Sequence, residues 1–228
     1  MGLLLLIETS AAVCSVALSR DGNILSYREE QEPNRHAELL SVFCDEVLRE
    51  ANVSAQQLDA IAVSGGPGSY TGLRIGTSTA KGYCFALGIP LIAVPTLEAM
   101  AAGMIPSAQQ DEILCPMVDA RRMEVYTSLY ATDLTELRET EAIVLDESDF
   151  ISSLADKKVI FSGDGMLKAK HLLETIPGAS FTEKGIQSAK NLVLPAEKRY
   201  AKKDFVDTAY YVPFYLKTFH PGPQRSAK

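Results

Sequence analysis

Leu3–Glu8 is a continuous apolar run closed by an acid, the pattern of a strand buried on both faces. A Thr9-Ser10-Ala11 bend separates it from a second strand over residues 13–20. Asp21-Gly22 reads as a hairpin turn, because Gly accepts the positive φ a tight turn demands, and a third strand follows over Asn23–Glu30. Beyond Pro33-Asn34 the apolar spacing changes. Leu39, Leu40, Phe43, Val47, Leu48 and Ala51 share one face of a helix over residues 36–51. Residues 60–63 form a further strand that runs into the loop Ser64-Gly65-Gly66-Pro67-Gly68-Ser69-Tyr70-Thr71-Gly72. The spacing predicts a second helix over 73–87, stopped by Gly88 and Pro90, then a strand over Leu91–Val94. Thr96 is placed to cap a short helix over 97–102. A three-strand meander followed by helix–strand–helix–strand describes an α/β fold, a mixed sheet with helical layers.

The second half repeats this order. Leu6-Ile7-Glu8 returns as Met117-Val118-Asp119 at an offset of 111, which also carries Leu18 onto Leu129. Ile61-Ala62-Val63-Ser64-Gly65 returns as Val159-Ile160-Phe161-Ser162-Gly163 at an offset of 98, so the second copy has lost thirteen residues in between. Two elements recurring in order favour a duplication over two unrelated hairpins. The most polar break, IPSAQQD at 105–111, divides the chain into subdomains 1–106 and 107–228. Two facing copies would set Glu8 and Asp119 near one cleft.

Composition limits function more than fold. With 46% hydrophobic and 22% charged residues, the 228-residue chain has the make-up of a globular protein with a real core. A net charge of −7, with no block of five like charges, argues against strong nucleic-acid binding by this chain alone. The N-terminal apolar run is too short for a signal-peptide core, and no stretch approaches the about 20 apolar residues of a membrane helix. Cys14, Cys44, Cys84 and Cys115 lie far apart among apolar neighbours, the pattern of buried reduced thiols. A cytoplasmic protein without membrane contact is expected.

Candidate chemistry is sparse. Glu8, Thr9 and Ser10 facing Asp119 across a cleft resemble a Mg²⁺-nucleotide site, where carboxylates hold the ion and hydroxyls receive phosphate oxygens. Acids that merely terminate strands at the surface explain the same residues. The loop at 65–72 is rich in glycine, but no Lys follows Gly72 and GxGxxG spacing is missing, so a tight strand-to-helix turn is preferred. His36, His171 and His220 are too far apart for a helical pair of metal ligands, and His36, near a helix start, is expected to be solvated or capping. There is no GxSxG elbow, and apolar surroundings deny the cysteines an activated thiolate. Asp119-Ala120-Arg121-Arg122 with Glu124 and Tyr126 could meet a ligand or partner, or form a solvated strand entrance. No catalytic residue and no metal ligand is assigned.

The second helix carries a different signal. Gly72, Gly76, Ala80, Cys84 and Gly88 recur every four residues, a stripe of small side chains that admits another helix closely. Its own sheet or a partner's helix could fill that groove.

GGPGSYTGLRIGTSTAKG at 65–82, ETSAAVCSVAL, RHAELL at 35–40, PTLEAMA at 95–101 and DARRMEVY at 119–126 together closely resemble the TsaB (YeaZ) family. The resemblance is dense over 3–126 and thin beyond, apart from PFYLK at 213–217. The family's usual Asp at the first strand's end is Glu8 here. The resemblance implies an actin/Hsp70/hexokinase-like duplicated fold with a shortened second copy. It also implies a part in making threonylcarbamoyladenosine beside the anticodon of tRNAs that read codons starting with A. In that system a larger paralogue, TsaD, transfers the threonylcarbamoyl group, a TsaE-type ATPase assists, and TsaB is TsaD's dimer partner. The paralogue carries metal-binding histidines in an HxExH-like pattern. Thr96-Leu97-Glu98-Ala99-Met100 stands there in this chain, and a hydroxyl and a thioether do not replace imidazoles. The expectation is therefore a non-catalytic scaffold that reaches tRNA only through the complex. It would hold no firmly bound cofactor and at most weak ATP or ADP with Mg²⁺. Its docking face is expected on the two helices, with Gly72, Gly76, Ala80 and Cys84 giving close approach and Leu39, Phe43 and Val47 giving apolar area. Alone, the chain is expected to pair with itself there. A metallopeptidase related to sialoglycoproteases and a small-molecule kinase of the same fold are the alternatives.

Overall fold

Leu3, Leu5 and Ile7 point to one side of the first strand and Leu4 and Leu6 to the other, and all five are fully or almost fully buried. A strand buried on both faces must be central with a layer on each side, and that requirement organises the fold. The computed structural model describes residues 2–32, 35–120, 122–145 and 149–217. Pro33-Asn34, Arg121 and His220, all named above, lie outside the described residues.

β1 (Leu3–Glu8), β2 (Cys14–Arg20), β3 (Asn23–Glu30), β4 (Ala60–Ser64) and β5 (Leu91–Val94) form one sheet in the order β3-β2-β1-β4-β5. β6 (Ile113–Asp119), β7 (Glu124–Tyr130), β8 (Glu136–Val144), β9 (Val159–Ser162) and β10 (Ala179–Phe181) form a second, in the order β10-β9-β6-β7-β8. Read from its other edge, the second order is that of the first. In both, the central strand pairs antiparallel with its hairpin partner and parallel with the strand that returns after a crossover. The duplication is real. Its missing residues are also located: the first copy carries α1 (His36–Glu50) between β3 and β4, while among the described residues the second has a 3-10 turn, Ser152–Leu154, and no α-helix between β8 and β9.

α1 and α2 (Tyr70–Leu87) cover the face of the first sheet that presents Leu3, Leu5 and Ile7. α2 starts before the expected Leu73 because Ser69 is its N-cap, its hydroxyl accepting from the Gly72 amide at 3.3 Å. Gly88 ends it at φ 67°, as expected. The opposite face is covered by α3 (Thr96–Met104) and α5 (Val193–Lys202), through Ala99, Val193 and Ala196, with Leu192 of the 3-10 turn just before α5. That second layer thus comes partly from residues that the sequence assigned to 107–228. α3 is shared, since Leu97, Met100, Ala101 and Met104 pack on Leu114, Val118 and Ile160 of the second sheet. Arg199 of α5 clamps Glu98 of α3 with two hydrogen bonds of 2.8 and 2.6 Å. The second sheet has its own core, where α4 (Asp164–Leu173) contributes Met166, Ala169 and Leu173.

Candidate functional site

The four small residues of α2 face inward. Gly72, Gly76, Ala80 and Cys84 are all buried, and Ala80 and Cys84 belong to the core between α2 and the first sheet. A Cβ on Gly72 would collide with the Thr9 carbonyl oxygen, and one on Gly76 with the Thr9 hydroxyl. The stripe lets α2 lie close on the end of β1, so these residues are not a docking surface. Val47 is also fully buried. Of the seven residues expected to meet a partner, only Leu39 and Phe43 keep part of their surface open.

The outward side of the same two helices has a different composition. Phe85 is 89% exposed and Val42 47%, with Ser78, Gly82 and Ala86 exposed beside Phe85 on α2. Nothing approaches within 4 Å of a Cβ placed on Gly82. An almost bare Phe on a helix of small residues was missed in the sequence, although it lies one position from the stripe.

A cleft of about 870 Å³ separates the two sheets, with Ser10, Ser69 and Tyr70 on one wall, Asp119 and Tyr126 on the other, and Tyr215 near them. Of the residues expected at a nucleotide cleft, Ser10 and Asp119 line it from opposite walls. Glu8 and Thr9 do not. Glu8 is 1% exposed, turned under its own loop, with Oε1 accepting from the Ser10 amide at 2.6 Å. Thr9 is fully buried and its hydroxyl donates to the Gly72 carbonyl at 2.8 Å. The turn at 65–72 is drawn down on the same loop, for the Ser69 amide donates to the Ser10 carbonyl at 2.6 Å. A tight strand-to-helix turn is what this segment forms.

Across the cleft Asp119 pairs with Lys168 of α4, and its amide donates to Asp164 at 2.9 Å. Glu124 pairs with Lys217. Ser10 Oγ is buried on the cleft wall. A hydroxyl on one wall and, on the other, a carboxylate already neutralised by lysine do not make a phosphate or cation site. The residues present do not fit a Mg²⁺-nucleotide held by Glu8 and Asp119.

Burial raises the Glu8 carboxyl above its ordinary value of 4.5, opposed by hydrogen bonding from the Ser10 side chain and amide and from Ser64, and by the charge of His36. The folded state therefore holds this proton more tightly than the unfolded chain. Its contribution to stability is present below pH 4.5 and declines as pH rises toward the raised folded value. Glu8→Gln is expected to melt progressively above wild type as pH is raised from 4 to 7, with little difference at the acid end. A melting-temperature difference that does not change with pH would contradict the burial assigned to Glu8.

The remaining candidates are structural. His36 is buried, not solvated, because α1 packs on the β1–β2 loop and brings Nε2 to 3.0 Å from the Val13 carbonyl. Thr96 does not cap α3; it is the helix's first residue after Pro95. Its buried hydroxyl lies 3.0 Å from Ser64 Oγ and accepts from the Gly66 amide at 3.2 Å. Met100 is 1% exposed, between the sheets. All four cysteines are buried free thiols, and burial pushes them up, Cys14 and Cys84 to about 11 and Cys44 and Cys115 to about 12. Such thiols are protonated at neutral pH and poor nucleophiles. No group of three or more His, Cys, Asp or Glu that could hold a metal, and no helix long and apolar enough to cross a membrane, occurs among the described residues.

Residues 29–218 match the family model of TsaD, tRNA N6-adenosine threonylcarbamoyltransferase. The tRNA threonylcarbamoyladenosine biosynthesis protein TsaB of Bacillus subtilis is 31% identical, over 94% of this chain and 93% of its own length. A Pseudomonas aeruginosa crystal structure, of a protein described as similar to peptidase YeaZ, superposes with a TM-score of 0.84 at 28% identity, covering 95% of this chain and 100% of that one. The inorganic polyphosphate/ATP-glucomannokinase of Arthrobacter sp. strain KM has a TM-score of 0.51 at 9% identity, covering 89% of this chain and 100% of that one. The last likeness is one of fold alone, and it places the paired sheets among the duplicated actin/Hsp70/hexokinase-like α/β folds.

Proposed function

The chain belongs to the TsaB family of tRNA threonylcarbamoyladenosine biosynthesis proteins, and from that premise we propose that it is the non-catalytic, activating subunit of the threonylcarbamoyl-transfer step. The transfer, to N6 of the adenine beside the anticodon in tRNAs reading codons that start with A, is made by a TsaD-type subunit with which this chain dimerises. A TsaE-type ATPase completes the complex, and tRNA is met only through it. The observation that carries this reading is what occupies the positions matching the paralogue's histidines. Thr96 ties the 64–66 turn to α3 and Met100 fills the core between the sheets. These side chains build structure where the transferase would build a metal site. The cleft supports the same reading, because Glu8 is folded away from it and Asp119 and Glu124 are matched by lysines. A sugar-kinase activity would need a carboxylate free to act as base.

Dimerisation is assigned to the outward side of α1 and α2, where Val42 and Phe85 leave apolar area that a solitary protein has no use for. In isolation the same face would pair with a second copy, so homodimer and heterodimer exclude each other. The test is reconstitution of tRNA modification from purified components with this chain added or omitted. Modification is expected to fall to background on omission, whereas full modification without it would overturn the proposal.

A further inference from the structure

After α5 the chain crosses the molecule as an extended strap. The Val206 amide bonds the Leu91 carbonyl of edge strand β5 at 3.0 Å. Lys81 of α2 then donates to the carbonyls of Ala209 and Tyr211, at 2.9 and 3.2 Å. The Phe214 amide donates to the Gly65 carbonyl at 2.8 Å, while the Phe214 carbonyl fills the space a Cβ on Gly66 would need. The Tyr215 ring stands 4.9 Å from that of Tyr70, the first residue of α2. Finally Lys217 pairs with Glu124 of β7.

Every fastening except the last holds the strap to the first sheet and its helices. The last reaches the second sheet, and the strap's end from Phe214 to Lys217 forms part of the cleft's lining. Among the described residues the strap is tied across the cleft by the Lys217–Glu124 ion pair, with side-chain exposures of 42% for Lys217 and 19% for Glu124. Pairs of this kind are weak and screened by salt, whereas the join between the sheets is a fully buried apolar layer around α3. The join is permanent and the tie releasable. Lys168, the other lysine nearby, is committed to Asp119 and to the backbone carbonyl of Glu124, leaving the Glu124 carboxylate to Lys217.

We propose that the strap 205–217 is a latch on the cleft between the two sheets, with Lys217–Glu124 as its catch. Latched, Tyr215 stays on Tyr70 and the β6–β7 turn is held toward α2; unlatched, that turn moves away and the cleft widens.

Hydrogen–deuterium exchange on the full chain tests this. Lys217→Glu places two acids together at the catch and should speed exchange in the segments 66–72 and 119–126 by roughly fivefold, the scale of one exposed ion pair. Segments within β1 and β9 should keep wild-type rates. The double variant Lys217→Glu/Glu124→Lys re-forms the pair with reversed sign and should restore protection in both segments. Unchanged exchange in Lys217→Glu would overturn the latch. So would acceleration that extends to β1 and β9, which would make Lys217 an element of global stability, or a double variant as fast as the single one.

Discussion

Ala80→Arg is expected to leave no folded protein at 25 °C, while Gly82→Arg, two residues away on the same helix, melts at or above the wild-type temperature. Ala80 is fully buried between α2 and the first sheet, so a guanidinium there would be both too large and unpaired. Burying an uncompensated charge in a packed core costs about 4–5 kcal/mol or more, comparable with the whole stability of many domains. Gly82 is exposed, with no atom within 4 Å of where a Cβ would stand, and replacing a helical Gly by a better helix former gains about 0.5–1 kcal/mol. Circular dichroism melts of both variants decide the matter. A folded Ala80→Arg protein would show that the stripe faces outward after all.

The second large effect lies on the other side of the same helices. Val42→Glu combined with Phe85→Glu should leave the melting temperature nearly unchanged, because Phe85 is almost wholly and Val42 about half in water, and neither belongs to a buried cluster among the described residues. Self-association and affinity for a TsaD-type partner should each fall by at least about 100-fold. An aromatic anchor at the centre of an interface contributes about 2 kcal/mol or more, and a charge left in a dry contact adds a penalty. Analytical ultracentrifugation and calorimetric titration read the two associations. A folded double variant that binds as tightly as wild type would remove the docking face from α1 and α2.

The contrast between those two experiments marks where the sequence stops being informative. Apolar runs closed by acids, returning in order, were enough to read the duplicated sheets, because a strand buried on both faces has no other pattern. The shortened second copy was legible from the change in offset, though not that the loss would fall on the counterpart of α1, where the described residues form a 3-10 turn. Small residues every four positions announce that something comes very close to α2. They do not say what, and here it is Thr9 and the end of β1. Phe85 could have been found by asking what lies beside the stripe. The inward turn of Glu8 could not, since it follows from the loop closing on the Ser10 amide. The same holds for the layer that α5 adds to the first sheet, which depends on a return across the molecule that no local pattern encodes.

On the proposed function, the chain enables transfer by docking on the transferase subunit through the outer side of α1 and α2. The most direct measurement is nucleoside mass spectrometry of threonylcarbamoyladenosine in a reconstituted reaction receiving wild-type chain, the Val42→Glu/Phe85→Glu variant, or neither. Full modification is expected with wild type, and equal, background modification with the folded variant and with no chain. Modification by the non-docking variant at the wild-type level would contradict it.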